Sequence, residues 1–442
     1  MIKQFKRLDE FRNNKQFYWK YFSETVPTKI EQWQPEQIKD FQLDAVQDLF
    51  KYVMQNSPFY KEKFSDFENM EINTLADFSK LPTTTKEELI DQSEDFLCCS
   101  EGDLAQVHVS TGTTGGKPIF NYYSFDDLFL ADLLPEYTEL IPVESNDRVL
   151  IALPYEMSSS GLSFHRLFQT QKEACVLPVG KGGAYSTAEK TLEFLYNLNP
   201  TCVVTTPSYA IYLAELALQN DFDISTKSHI KYMWLTGEGC SDSLRKRIEK
   251  LWGASARFFY GSMEAGQIGI ECGSQKLYHI TSMHCLVEII DENTGLPVND
   301  GEIGEIVVTP LLLRGAPLIR YRTKDRGQIV NDQCCSEVKL PLLKIFGRKQ
   351  EQIFNKFSPF FIEQILLSYP EVGNWYQLIE NEDNLQIEFE SSEDQDCNAE
   401  KTEEIRQKFE EILKIKCFVI VVPSKSLDRP TTKLVRVKRM RG

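Results

Sequence analysis

A chain of 442 residues is too long for one ordinary hydrophobic core, so at least two domains are expected. Its 42% hydrophobic and 26% charged residues are those of a soluble globular protein, and a net charge of −16 argues against a general binder of nucleic acid or of an anionic membrane surface. No run of about 18 apolar residues occurs, and MIKQFKRLDEF lacks the apolar stretch of a secretory leader, so a cytoplasmic location is expected. The 11 cysteines form no framework, which predicts reduced thiols, with metal ligation as the exception to test.

In KDFQLDAVQDLFKYVMQN the residues Phe41, Ala45, Val46, Leu49, Phe50 and Val53 recur at spacings of three and four, which predicts an amphipathic helix packed on a larger body. STGTTGGKP follows at residues 110 to 118. Glycines let backbone N–H groups turn towards an anion and hydroxyls add donors, so this stretch reads as a phosphate loop or, equally, as a mobile polar linker. It is not the NTPase P-loop, because Lys117 is followed by Pro118 and not by Ser or Thr.

From Arg148 onward the apolar runs RVLIAL, ACVLPV, TCVVTT, IKYMWLT and RFFYGS alternate with amphipathic stretches. That order predicts an α/β fold with a largely parallel sheet covered by helices on both faces. Ligands in such sheets bind at the carboxyl ends of strands, which directs attention to the loops PYEMSSSG, LTGEGC and YGSMEAG. In the last, Tyr260 follows the strand RFF, where it can stack on a flat base, and Glu264 can hold a hydrated Mg²⁺. Taken alone, the pattern favours an ordinary buried Tyr with a helix-capping Ser and Glu over that reading.

Beyond residue 285 strands and turns are expected, with LVEIIDENTGLPV a hairpin around Asn293-Thr294-Gly295. Tyr321-Arg322-Thr323-Lys324-Asp325 then follows a Leu-rich strand. Asp325 has two oxygens suited to a ribose diol, and a surface ion pair explains the cluster as well. After Gly347-Arg348 a helical stretch, strands around LQIEFE, the acidic ESSEDQDCNAEKTEE and a basic tail predict a small α+β domain.

Taken in order, STGTTGGKP, YGSMEAG, YRTKD, GRKQEQI and TTKLVRVKR resemble the motifs of the acyl-adenylate-forming superfamily. Within it, SPFYKEKF, VEIIDENTGLP, GEIGEIVVTPL and PLIRYRTKD look most like the phenylacetate-CoA ligases. The resemblance implies a large N-terminal domain over residues 1–346, with parallel-sheet subdomains covered by helices, and a small mobile α+β domain over 347–442.

It also implies roles. Ser110, Thr111, Gly112, Thr113, Thr114, Gly115 and Lys117 would cover the phosphates of ATP, with Gly116 an additional glycine. Gly237, Glu238 and Gly239 would line the adenine, with Tyr260, Gly261 and Ser262 beside it. Glu264 would hold Mg²⁺, Asp325 the ribose hydroxyls, and Arg348 the ribose or phosphate region. Lys433 would be the adenylation lysine, with Glu264 and Thr114 as its catalytic partners. Thr432 stands where Gly is usual, with Arg436 behind it, and Gln350 stands at the hinge where Asp or Lys is usual.

The implied reaction activates a carboxylic acid, first guess aryl or arylacetic, with ATP and passes it to coenzyme A, releasing AMP and pyrophosphate. The alternatives are transfer to a carrier-protein thiol or an amine, and a degenerate nucleotide-binding subunit. No nucleic-acid or membrane partner is expected, and a homodimer is the prior. His165 and the loop from Pro154 to Gly161 lie where relatives bind the acyl group, and Tyr155, Phe164 and Tyr209 either wall that pocket or fill the core. Cys272, His279, Cys334 and Cys335 form a set for a structural Zn²⁺, weighed against unligated buried thiols.

Overall fold

The structure, a computed structural model, describes residues 33–110, 117–133, 137, 140–272, 277–330, 334, 338–393, 395–429 and 434–440. Helix α1 (Pro35–Asn56) starts on a proline, which suits a position where no intrahelical N–H bond is made, and buries the six apolar residues its periodicity singled out. Gln42 is buried on the same face, where its amide donates to the carbonyls of Ser282 at 3.1 Å and Cys285 at 3.3 Å. The antiparallel strands β1 (Leu104–Ser110) and β2 (Ile119–Ser124) flank the Gly/Thr/Ser stretch, with Ser110 opposite Ile119.

The alternating segment folds as β3 (Arg148–Ile151), α2 (Ser159–Arg166), β4 (Cys175–Pro178), α3 (Ala188–Leu198), β5 (Cys202–Thr205), α4 (Pro207–Gln219), β6 (Tyr232–Leu235), α5 (Asp242–Trp252) and β7 (Ser255–Ser262). The strands lie parallel in the order β4-β3-β5-β6-β7. Every residue of β5 is buried, as expected of a strand covered on both faces. Ser158, Thr187, Thr206 and Ser241 cap the four helices with their hydroxyls, satisfying N–H groups the helices leave open.

Midway along β7 the sheet changes character. Up to Phe258 it pairs parallel with β6, and from Phe259 it pairs antiparallel with β8 (Gly266–Glu271). The sheet continues through β9 (Tyr278–Ile280), β10 (Cys285–Ile290), β11 (Gly304–Pro310), β12 (Tyr321–Val330) and β13 (Leu342–Arg348), in the order β10-β11-β12-β13-β9-β8-β7. In a flat sheet β7 and β12, four steps apart, would be about 19 Å from each other. Yet Tyr260 of β7 donates to Asp325 of β12 at 2.8 Å, so this half is rolled. The roll encloses Ile268, Ile280, Val287, Ile306, Val308 and Leu343.

Two sequence expectations need correction. Tyr260-Gly261-Ser262 continues β7 instead of following it, because β8 offers an antiparallel partner beyond the parallel pairing with β6. Tyr321–Asp325 forms the first half of β12 and is not preceded by a Leu-rich strand. The hairpin expected around Asn293-Thr294-Gly295 is present as a short one: Asp291 N–H donates to the Leu296 carbonyl at 2.9 Å, Val298 N–H donates to the Ile289 carbonyl at 3.0 Å, and Ile290 bridges Pro297, while the main partner of β10 is β11.

The remaining chain builds α6 (Pro359–Leu366), β14 (Val372–Glu380), β15 (Asn384–Ser391), α7 (Ala399–Leu413), β16 (Lys416–Val422) and β17 (Val437–Arg439), with a four-stranded sheet ordered β16-β15-β14-β17. This α+β unit docks on α5. Arg247 donates to the carbonyls of Leu367, Tyr369 and Val372 at 2.7–2.9 Å, and Leu244 and Ile248 share one apolar cluster with Ile362 and Leu366. Among the described residues no helix is long and apolar enough to cross a membrane.

Candidate active site

Three predicted residues meet on the rolled part of the sheet. Asp325 accepts from the Tyr260 hydroxyl at 2.8 Å through one oxygen and from Arg348 Nε at 3.0 Å through the other. Neighbouring pairs in β12 and β13 place Asp325 opposite Arg348, so the strand register sets this contact. Burial, reinforced by the Asp325 carboxylate, pushes the Tyr260 phenol well above its usual pKa. Burial works against the charge of Arg348, but Asp325 outweighs it and the guanidinium pKa is raised.

Glu264 lies in the turn after β7, where it accepts from the Ser110 hydroxyl at 3.4 Å. Tyr321, the first residue of β12, is buried, and burial, reinforced by the charge of Glu264, raises its phenol pKa. Gly261 is needed here, because a Cβ would meet the Gly266 carbonyl oxygen at 2.4 Å. Ser262 closes the turn by accepting from Ala265 N–H at 3.0 Å. Lys117 is exposed, 3.5 Å from Asp91. Thr111, Gly112, Thr113, Thr114, Gly115 and Gly116, like Thr432 and Lys433, lie outside the described residues.

Gly237, Glu238 and Gly239 follow β6, at the carboxyl end of the parallel sheet. Gly237 has φ of +78°, a left-handed conformation that glycine adopts without penalty. The Glu238 carboxylate accepts from Ser208 N–H at 3.1 Å and Ser208 Oγ at 2.8 Å, and Lys181 Nζ lies 3.9 Å away. Burial lowers the Lys181 pKa, against the pull of Glu238. Lys181 and Ser208 were not anticipated; the Gly-Lys-Gly-Gly run at 180–183 was the available signal. Gly239 faces the α+β unit, where an added Cβ would sit 2.0 Å from Cζ of Phe360.

In the region expected from the sequence to face the acyl group, Tyr155 OH and His165 Nδ1 are 3.3 Å apart. Phe164 and Trp234 both pack on Phe259, at 4.8 and 4.7 Å between ring centroids. Tyr209 is a core residue, buried beneath Lys181 at 5.5 Å from its ring. Gln350 lies in the turn after β13, beside a polar cavity of about 500 Å³ also lined by Glu87, Glu292, Arg322, Lys324 and Lys349.

Cys272, His279 and Cys334 converge, with ligand atoms all within 4.8 Å of one another. Cys335 lies outside the described residues. The sulfurs of Cys272 and Cys334 are at bonding distance, in place of the reduced thiols expected from the sequence. Their Cα atoms, however, are 7.6 Å apart, beyond the roughly 4.4–6.8 Å that disulfides usually span. His279 is buried with Nδ1 3.4 Å from the Leu340 carbonyl, and its Nε2 is buried without a hydrogen-bond partner.

The family profile described as AMP-binding enzyme matches residues 41–314, and that of the AMP-binding enzyme C-terminal domain matches 355–441. The chain belongs to the AMP-binding enzyme family. It is 26% identical to the phenylacetate-coenzyme A ligase of Escherichia coli (strain K12) over 435 residues, covering 93% of this chain and 97% of that protein. The phenylacetate-coenzyme A ligase of Thermus thermophilus is also 26% identical, over 354 residues and 78% of each chain. Among solved structures, 2-hydroxyisobutyryl-CoA ligase in the postadenylation state with 2-HIB-AMP superposes with a TM-score of 0.84 at 20% identity, over 95% of this chain and 94% of that one. The same enzyme with 2-HIB-AMP and CoA in the thioesterification state gives 0.67 at 21% identity, over 92% and 91%. These likenesses establish the fold of this AMP-binding enzyme: a large sheet-rich α/β part followed by an α+β part.

Proposed function

We propose that this AMP-binding enzyme is an acid–CoA ligase that activates a carboxylic acid, an aryl or arylacetic acid first, as its adenylate and passes the acyl group to coenzyme A. The observation that carries the reading is that Asp325 is held between Tyr260 and Arg348 while Ser110 reaches Glu264 in the turn that the strand of Tyr260 leads into, residues that come from separate motifs. Their family and the phenylacetate-coenzyme A ligases that span the same length support it.

In the first step an oxygen of the acid bonds to the α-phosphorus of ATP while the bond to pyrophosphate breaks. Negative charge gathers on the phosphoryl oxygens, and fixed positive groups lower the barrier by holding it. Asp325 and Arg348 orient the ribose, and Glu238, tied to Ser208, fixes the backbone beside the adenine. Lys433 supplies the positive charge at the phosphoryl group. In the second step the CoA thiol bonds to the acyl carbon and AMP leaves with the shared oxygen.

Glu264 suits a Mg²⁺ ion, because one long hydrogen bond leaves most of the lone pairs of its carboxylate open; the ion supplies charge neutralisation on the phosphates. Cys272, His279 and Cys334 suit a structural Zn²⁺. A ligating His characteristically gives its other nitrogen to a carbonyl, and the unpartnered Nε2 of His279 supports that assignment.

The test is acid-dependent exchange of pyrophosphate into ATP across a panel of acids, followed by addition of CoA, a phosphopantetheinyl carrier or an amine. Expected are exchange with an aryl or arylacetic acid and AMP release that requires CoA. Lys433→Ala should slow exchange by about 10²–10³, the cost of losing one such stabilising group. AMP release indifferent to CoA would overturn the ligase reading, and absence of exchange with every acid would favour a nucleotide-binding subunit.

A further inference from the structure

Glu363 is 1% exposed, on the helix α6 of the α+β unit, and bridges three elements. One carboxylate oxygen accepts from the backbone N–H of Ser241, the N-cap residue of α5, at 2.6 Å. The other accepts from the Tyr376 hydroxyl at 2.6 Å and lies 3.5 Å from Arg436 Nε. Beside it Gln364 accepts from Ser243 N–H at 2.9 Å. A helix start carries partial positive charge and open N–H groups, so a carboxylate from another unit is well received there.

Arg436 stands three residues after Lys433. Its guanidinium lies over the Tyr376 ring at 4.2 Å, and its carbonyl accepts from Leu378 N–H at 2.8 Å, so the segment is held at both backbone and side chain. Three residues span at most about 11 Å, which ties the reach of Lys433 to this anchor. Arg436 Nη1 is buried without a hydrogen-bond partner; burial works against the charge of the group, which the carboxylates of Glu363 and of Glu238, in the loop after β6, support. Glu363 thus joins the loop that leads into α5 to the segment that carries Lys433.

We infer that Glu363 is a positioning residue: it latches the α+β unit on the N-terminus of α5 in the placement that serves adenylation, and sets Lys433 through Arg436. The inference rests on the proposed adenylation by Lys433. Arg247, which binds three carbonyls of the same unit, together with the Glu215 bonds to Asn374 and Trp375, holds the unit as a body. Loss of the latch therefore misplaces the lysine without releasing the domain. Misplacement on the order of 1 Å costs about 10²-fold in rate. Transfer from a finished adenylate to CoA does not use Lys433 and is spared.

The experiment compares full-length wild-type protein with Glu363→Gln, which keeps the volume and removes the charge. Three readouts are taken: phenylacetate-dependent pyrophosphate exchange, CoA thioester formation from supplied phenylacetyl-adenylate, and amide hydrogen exchange over residues 239–246. Expected are exchange slower by about 10²-fold, unchanged thioester formation, and faster amide exchange confined to that segment. Parallel loss of both half-reactions, or unchanged amide exchange, overturns the latch. Tyr376→Phe, which deletes one hydroxyl, should shift the same ratio in the same direction and decides the matter if Glu363→Gln does not fold. Wild-type protein without exchange on any acid overturns the ligase reading instead, and the amide exchange still judges the latch.

Discussion

Both carboxylate oxygens of Asp325 are engaged within the protein, one by Tyr260 and one by Arg348. Its orientation is therefore fixed before any ribose arrives, and each bond leaves further lone pairs on the same oxygens. Replacing it with Ala deletes the acceptor and strands a half-buried phenol and a half-buried guanidinium. With hydrogen bonds to charged groups worth about 1.5–3 kcal/mol each, Asp325→Ala should raise the KM for ATP in the exchange assay by about 10–10²-fold, and Asp325→Asn by less. An unchanged KM for ATP would remove Asp325 from the nucleotide site. The sequence singled out these three residues through their motifs. It was silent on Lys181 and Ser208, whose connection to Glu238 is made by packing between segments that carry no motif.

At the scale of elements, helices and parallel strands were legible because burial imposes periods of three to four and continuous apolar runs; α1 and β5 follow those patterns residue by residue. The strand edges were not, because β7 is extended by a tight hairpin into β8, with Ser262 opposite Gly266, and β12 begins on β11, so pairing and not apolar period sets where they start and stop. The Cys/His set shows the same limit: Cys272 directly follows β8, His279 sits in β9 and Cys334 lies between β12 and β13, so only the fold makes them neighbours. A Zn²⁺ there would clamp these elements together. Purified protein should then carry about one zinc per chain by elemental analysis. Stripping it with a chelator, or Cys272→Ser, should destabilise the protein by about 4 kcal/mol, the linkage for free metal at about a thousand times its Kd. Protein that holds no zinc, or whose melting temperature ignores the chelator, would favour the sulfur–sulfur bond.

Over the whole molecule, the α+β unit also meets the large part through one aromatic ring against two glycines. A Cβ on Gly239 would come within 2.0 Å of Phe360, and one on Gly347 within 3.3 Å. Gly239→Ala must therefore displace the ring, at the roughly 1–3 kcal/mol that overpacking costs. Pyrophosphate exchange should fall about tenfold for 1.4 kcal/mol of that cost, and Phe360→Ala in the same background should recover most of the loss. Absence of recovery would mean that Gly239 is required for its own backbone and not for docking.

The rolling of the sheet has a consequence for how the protein comes into being. Tyr260, Asp325 and Arg348 are brought together only when β7, β12 and β13 have found their partners across long stretches of chain. Pairings of that kind are slow, because loop closure is paid before the contacts reward it. If these residues hold the nucleotide as proposed, that capacity is complete only with the roll, and a nucleotide bridging those strands would shift the balance towards the finished roll by about 2.7 kcal/mol at a hundred times its Kd. For a newly made chain, the cofactor pool would act as a folding aid as well as a reactant.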